Sequence, residues 1–231
     1  MSSEREVLVS LLKLTRESAT DFHNLCQEVR IPSQLVREIL NKNSNLVTHE
    51  LSSENIIINH EQRMKIALRA INLGADIERV CTFLTWLEFE KMAILAFEAN
   101  NYETKKHFRF KWSNRRWEID IMGLKNPFII CADCKHWHHK WSRSASVRAA
   151  SMQMERTRTL VGAFKTFSHE IPVSNWKHVY FVPMILSLLP VNQKFYEDMP
   201  IVSVLQLRDF LSQVPAYIDK IAHFQLSIKN S

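Results

Sequence analysis

The chain has 231 residues, 46% hydrophobic and 23% charged, with only three glycines (Gly74, Gly123 and Gly162). They are isolated, so the closely spaced glycines of a P-loop or a dinucleotide fingerprint are missing, and nucleotide-cofactor chemistry of those types is excluded. The net charge of +6 is unevenly placed. Residues 1–85 carry ten bases against eleven acids, whereas residues 105–165 carry fourteen bases against four acids. A field so concentrated points to a polyanionic partner, most simply nucleic acid; a solvated basic face is the alternative.

In chain order, apolar residues Val7, Leu8, Leu11 and Leu12 recur at helical spacing. A second helix is expected to open near Ser18 or Thr20 and run through Phe22, Leu25 and Val29. A third, SQLVREILNK, has Pro32 in its first turn. Two short apolar stretches, LVTHEL and NIIINH, follow. Three short helices and a hairpin form a winged-helix-like pattern over residues 1–60. Such a module serves either to bind DNA or to dimerise. Helices over His60–Asn72, as a linker spanning 61–82, and Asp76–Asn100 are expected next, with Gly74 as the break.

From Lys105 the pattern changes to three short strands, HFRFKW, WEIDIM and PFIICADCK, linked by Ser113–Arg116 and Gly123–Asn126. A helix over 144–167 follows, then strands HVYFVPMIL and PIVSV, then helices over 205–213 and 216–226. The order predicts an α/β (α+β) core with a mixed central sheet flanked by helices, occupying 83–231.

The four cysteines (Cys26, Cys81, Cys131, Cys134) do not form a disulfide framework, no signal peptide is expected, and the longest apolar run is broken by Pro183. The expectation is a reducing, cytoplasmic setting without membrane contact.

The chemistry concentrates on the strands. Alternation puts Asp133 and Lys135 on one face of PFIICADCK, and Asp120 on the neighbouring strand can approach Asp133 if the two pair. Two carboxylates at a strand end suit Mg²⁺, with Mn²⁺ as a substitute, and a lysine two residues on can orient a water. A salt-bridged edge strand is the alternative, but the run Phe128–Ala132 is very apolar, and charges there need a partner or a metal. Glu90 stands on an apolar helical stripe (Trp86, Leu87, Ala93, Ile94, Phe97), whereas Glu88 and Glu98 read as ordinary surface acids.

Glu90 on a helix, Asp120 on a strand, and Asp133-Cys134-Lys135 on the next strand resemble the PD-(D/E)xK nuclease superfamily. FEKMAILAFEANNY and PIVSVLQLRDFL are similar to segments of archaeal Holliday-junction resolvases and Mrr-type endonucleases. The resemblance implies a restriction-endonuclease-like fold and Mg²⁺-dependent hydrolysis of DNA phosphodiesters by a metal-activated water. Asp120, Asp133 and Glu90 would serve the metal and Lys135 the water. Ile119 departs from the proline frequent in the superfamily. Gln153 could be the glutamine of exonuclease-like members, but Thr157 replaces their tyrosine. Lys140, Arg143 and Arg148, then Arg115 and Arg116, are the expected DNA contacts. A homodimer is expected because cutting two strands usually takes two sites.

Two other readings stay open. One is an inactive nuclease-fold DNA-binding, regulatory or assembly protein. The other is a structural zinc held by Cys131, Cys134, His136, His138 and His139, weakened because Cys131 and Cys134 on one strand would face opposite ways. Trp137 and Trp141 are candidates for base stacking.

Overall fold

A computed structural model describes residues 3–49, 55–135, 143–167, 169–173, 175–191 and 193–228. The chain divides into two compact units, Met1–Met92 and Ala93–Ser231.

The first unit contains helix α1 (Ser3–Leu14), strand β1 (Thr20–Asp21), α2 (Phe22–Val29), α3 (Ser33–Lys42), β2 (Thr48–His49), β3 (Asn55–Ile57), α4 (His60–Asn72) and α5 (Ile77–Thr82). Helix α6 (Trp86–Glu98) begins here, and the division falls within it. Val7, Leu8, Leu11 and Leu12 are all buried, which is the face that the helical spacing predicts. Helix α2 opens at Asp21, whose carboxylate accepts from the Asn24 amide. The segment before Asp21 pairs with the hairpin: β1 and β2 both run antiparallel to β3. Strand β1 is too short to carry an alternation signal, so the sequence does not reveal it.

Helix α4 starts on a reciprocal capping box between Asn59 and Gln62. It packs on α1, and Arg69 reaches Glu4 at 2.9 Å. The stretch expected as a linker is therefore part of the first unit's packing. The helix expected from Asp76 to Asn100 is instead two helices, because Thr85 starts a new one. Its amide donates to Glu88 Oε2 at 2.8 Å, and its hydroxyl accepts from the Glu88 amide at 3.3 Å.

The second unit is α+β, with a mixed sheet flanked by helices. Its strands are β4 (Glu103–Trp112), β5 (Arg115–Lys125), β6 (Phe128–Lys135), β7 (His178–Ser187), β8 (Phe195–Tyr196), β9 (Met199–Ser203) and β10 (Phe224–Ser227). Helices α7 (Arg143–Phe167) and α8 (Leu207–Tyr217) complete it. The sheet order is β4-β5-β6-β7-β9-β8, and β10 also pairs with β7. Strands β4, β5 and β6 form an antiparallel meander, while β6–β7 and β7–β9 are parallel.

Two expectations fail here. Residues 216–226 are not one helix, because Phe224–Ser227 extends along Val179 and its neighbours as an antiparallel strand. Gly123 is not in a turn: it lies inside β5, where a Cβ would come within 2.4 Å of the buried Phe97 ring. The glycine is required by that close approach.

Strand β7 is buried along nearly its whole length, as a central parallel strand must be. Helix α7 is fixed over the sheet at two places. Leu160, Ala163 and Phe164 pack with Cys131, Val179 and Phe181, and Ala150 packs with Ile185 and Ile201.

Candidate functional site

The site forms where β5 and β6 part. Their ladder runs from Lys125↔Phe128 to Ile121↔Ala132. One step further, Asp120 stands beside Asp133, and the Asp120 carboxylate accepts the Cys134 amide at 2.8 Å. A side chain thus takes the place of the next main-chain acceptor. On the other side of Asp120, the facing position of β4 is His107, which has φ of 49° and leaves a gap in the ladder between the pairs Lys106↔Ile121 and Phe108↔Ile119 without shifting the register. That left-handed conformation is unfavourable for a residue with a Cβ. Both neighbours of Asp120 in the sheet are therefore irregular.

Asp133 is only 3% exposed, yet it is ionically engaged on both oxygens. Lys135 Nζ lies 2.8 Å from Oδ2 and Arg156 Nη1 lies 2.7 Å from Oδ1. The same Arg156 nitrogen donates to Gln153 Oε1 at 2.9 Å, and Gln153 Nε2 donates to the Cys131 carbonyl at 2.7 Å. Helix α7 is thereby tied to β6 by a fully buried glutamine. Gln153 has a hydrogen-bonding role between helix and strand.

Arg148, Met152 and Arg156 recur every four residues on α7 and so share one face. Together with Ala149, Asp133 and Lys135 they line a cavity of about 330 Å³. The cavity places three cationic side chains around a buried carboxylate.

Asp120 has its carboxyl pushed above the usual range. Burial is the main cause, the Cys134 amide opposes it, and the nearby Asp133 carboxylate adds to it. Neither oxygen of Asp133 is far from a positive charge, so the two acids are held in contrasting electrostatic settings.

The predicted residues are distributed as follows. Asp133, Lys135 and Arg148 share the cavity, and Asp120 lies beside Asp133. Glu90 is buried on α6, within the first unit. Its stripe is only partly inward: Ala93 and Phe97 are buried, but Trp86 and Leu87 are exposed. Arg115 stacks over Trp117 at 4.0 Å and pairs with Glu155 at 3.1 Å, and Arg116 is exposed beside it. Lys140, His136, Trp137, His138, His139 and Trp141 lie outside the described residues, as does the side chain of Arg143. Cys131 belongs to the apolar cluster under α7, where burial pushes its thiol up to about 12.

Arg156 was not anticipated. Its signal was present in the four-residue spacing from Arg148 through Met152, but its partner Asp133 is 23 residues away.

Glu88 was anticipated as a surface acid and is instead fully buried. Arg63 Nε donates to Glu88 Oε1 at 2.6 Å, and His60 Nδ1 lies 3.1 Å from the same oxygen. Arg63 also donates to the carbonyls of Leu12 and Phe83 and to the Thr15 hydroxyl. Burial pushes the Glu88 carboxyl up, but hydrogen bonds from Arg63, the Thr85 amide and His60 outweigh it and hold it below the usual range.

Whether the cavity suits a divalent cation follows from its donors. Asp120 and Asp133 supply hard carboxylate oxygens on adjacent strands, the ligand type that Mg²⁺ takes while keeping several waters. Among the described residues no group of three or more His, Cys, Asp or Glu side chains forms a ready ligand cage. An ion there would have one or two carboxylates and otherwise water, and it would meet Asp133 oxygens already paired with Lys135 and Arg156.

No protein-family model matches the chain. An uncharacterized protein of Archaeoglobus fulgidus is 24% identical over 135 residues, which is 58% of this chain and 95% of that protein. The crystal structure of protein VC1899 from Vibrio cholerae aligns over 94% of this chain with a TM-score of 0.40 and 11% identity. The chain spans about half, 51%, of that structure. The fold and site define an α+β protein whose cavity is lined by one buried carboxylate, a lysine and two arginines, with a second carboxylate, Asp120, on the neighbouring strand. Among the described residues, no helix is long and apolar enough to cross a membrane.

Proposed function

We propose that the chain is a divalent-cation-dependent endonuclease with a restriction-endonuclease-like core, hydrolysing DNA phosphodiester bonds. The observation that carries this reading is the juxtaposition of Asp120 and Asp133 on neighbouring strands, with Lys135, Arg148 and Arg156 around them. Acids to hold a cation amid bases to neutralise a phosphate backbone is the arrangement that phosphodiester hydrolysis requires.

Asp120 and Asp133 would hold Mg²⁺ or Mn²⁺, which when bound supplies Lewis-acid stabilisation of the developing phosphate charge. Lys135, 29% exposed and 2.8 Å from Asp133, presents its ammonium to the cleft. There it can orient a water against the phosphorus. Arg148 and Arg156 donate to the non-bridging oxygens and fix the phosphodiester. The remaining bases of residues 105–165, Arg115 and Arg116 among them, extend the positive field along the backbone of the substrate. Residues 1–60 of the first unit, with helices α1–α3 and the short antiparallel strands β1–β3, would supply a winged-helix-like module for docking DNA or a second copy. Glu90 belongs in this reading on the strength of the superfamily resemblance.

The test is cleavage of duplex, branched and single-stranded DNA with Mg²⁺ or Mn²⁺ against EDTA. Asp120→Ala and Lys135→Ala should each lower the rate at least about a hundredfold, with DNA affinity changed only a few-fold. Unchanged cleavage in either variant sinks the assignment. One observation favours a second reading: both oxygens of Asp133 are already ion-paired. In that reading the cleft only binds nucleic acid, and wild-type protein shows cation-independent binding and no cleavage on any of the three substrates.

A further inference from the structure

The carboxylate at the centre of the cleft is shared between demands that oppose one another. A cation held by Asp133 must approach a group already flanked by Lys135 at 2.8 Å and Arg156 at 2.7 Å. Arg148 adds a third positive charge on the same wall. Adding two more positive charges there is costly, since like charges a few ångströms apart repel strongly where water is partly excluded. A phosphodiester entering the cleft brings the compensating negative charge.

Arg156 is placed to exchange between the two anions. A guanidinium has five N–H donors in a rigid fork, and here a single nitrogen, Nη1, serves both Asp133 and Gln153. Among the described residues only Nη1 is engaged, so Nε and Nη2 can serve a further acceptor, on a side chain that lines the cavity. Gln153, anchored to the Cys131 carbonyl, holds the guanidinium at the cavity wall whichever anion it serves.

We propose that Arg156 couples the two binding events: a phosphodiester draws its guanidinium charge from Asp133, and the cation then takes the freed oxygen. Cation and phosphodiester therefore bind with positive cooperativity, and Arg156 is the positioning residue that produces it. This rests on the metal-dependent reading above. By linkage the effect is reciprocal, so each ligand tightens the other by the same factor.

The experiment uses the full chain, Mn²⁺ titrated by calorimetry, and a phosphorothioate DNA duplex followed by fluorescence anisotropy. For wild type the duplex should tighten Mn²⁺ binding by about tenfold, and Mn²⁺ should tighten duplex binding by the same factor. Arg156→Gln removes the charge while keeping donors for Gln153 and Asp133. It should bind Mn²⁺ several-fold more tightly in the absence of duplex, with the mutual enhancement reduced below about threefold. Arg156→Lys, which retains the charge, should keep most of the enhancement. Arg148→Gln should weaken duplex binding and tighten Mn²⁺ without duplex by less than Arg156→Gln does, because Arg148 makes no ion pair with Asp133, and it should keep most of the mutual enhancement.

A wild-type enhancement below threefold overturns the proposal, and that measurement does not depend on how any variant folds. Full enhancement retained in Arg156→Gln, with an unchanged melting curve, also overturns it. The parent reading fails differently. If wild type binds no Mn²⁺ with or without duplex, or Asp120→Asn leaves Mn²⁺ binding unaltered, the metal site itself is wrong and both ideas fall. Mn²⁺ binding lost in Asp120→Asn, with cooperativity intact in Arg156→Gln, removes the role of Arg156 alone.

Discussion

Each of the two units buries a carboxylate against an arginine, and the two pairs differ in what surrounds them. Glu88 in the first unit is 0% exposed, and its oxygens accept from Arg63, His60 and the Thr85 amide. Arg63 in turn uses its remaining donors on Leu12, Thr15 and Phe83. The network is closed within the unit: Arg63 on α4 spends its donors on Glu88, on the end of α1 with the residue after it and on the residue after α5. Thr85 caps the helix that carries Glu88, and only His60 reaches the surface. Asp133 in the second unit is nearly as buried, but its two partners, Lys135 and Arg156, both line an open cavity with Arg148. Beside it Asp120 has its carboxyl pushed up by burial and by Asp133 itself. Burial alone therefore does not distinguish the two acids. What differs is whether their partners are satisfied within the fold or face a cavity.

The largest effect is expected where the closed network is broken. Glu88→Ala leaves the Arg63 guanidinium buried without its counter-charge, and should cost about 3–5 kcal/mol of stability in urea or thermal unfolding. Glu88→Gln keeps the shape and the Thr85 contact and should cost less. The pH dependence has a fixed sign. Because the folded Glu88 carboxyl sits below its ordinary value near 4.5, its contribution is present above that value and lost as pH falls through the lower folded one. Wild type should lose stability over that acid range more steeply than Glu88→Gln. Equal slopes in the two proteins, or an unfolding cost near zero for Glu88→Ala, would erase the contrast between the two pairs.

How far these pairs were legible in the sequence depends on the range of the interactions. The meander β4-β5-β6 and the position of Asp120 beside Asp133 follow from period-two alternation and short turns, both local signals. So does the shared face of Asp133 and Lys135. Glu88 was misread because its wheel neighbours are mixed, while its partner Arg63 lies 25 residues back on α4. Arg156 was passed over for the same reason, with its acceptor on a strand 23 residues earlier. Strand β10 was legible in part: FQLSI alternates apolar and polar residues with period two, but a helix read over 216–226 runs across it, and pairing with β7 decides the conformation. The break between α5 and α6 was readable in principle. Thr85-x-x-Glu88 is a capping-box spacing, and it was overlooked because the apolar stripe continues across it.

A smaller and opposite effect is expected in the second unit, and it makes the sharper test of what an open acid pair is for. The folded Asp120 carboxyl lies above its ordinary value, so its stabilising contribution is present at low pH and lost as pH rises through the raised value. Above that value the ionised carboxylate opposes folding. Asp120→Asn removes that charge and keeps an oxygen to accept the Cys134 amide. It should raise Tm measured above that pH, where each gain of about 1 kcal/mol would read as roughly 2–4 °C in a chain of this size. On the proposed metal-dependent reading, millimolar Mg²⁺ or Mn²⁺ should raise the Tm of wild type and the same substitution should abolish that gain, since ligand binding to the folded state raises Tm only while the site survives. A variant that is more stable than wild type without metal and no longer responds to it is the signature of a residue retained for binding at the expense of stability. A loss of stability in Asp120→Asn at pH 7 would instead make Asp120 a structural acid like Glu88, with its hydrogen bond to Cys134 as its whole purpose.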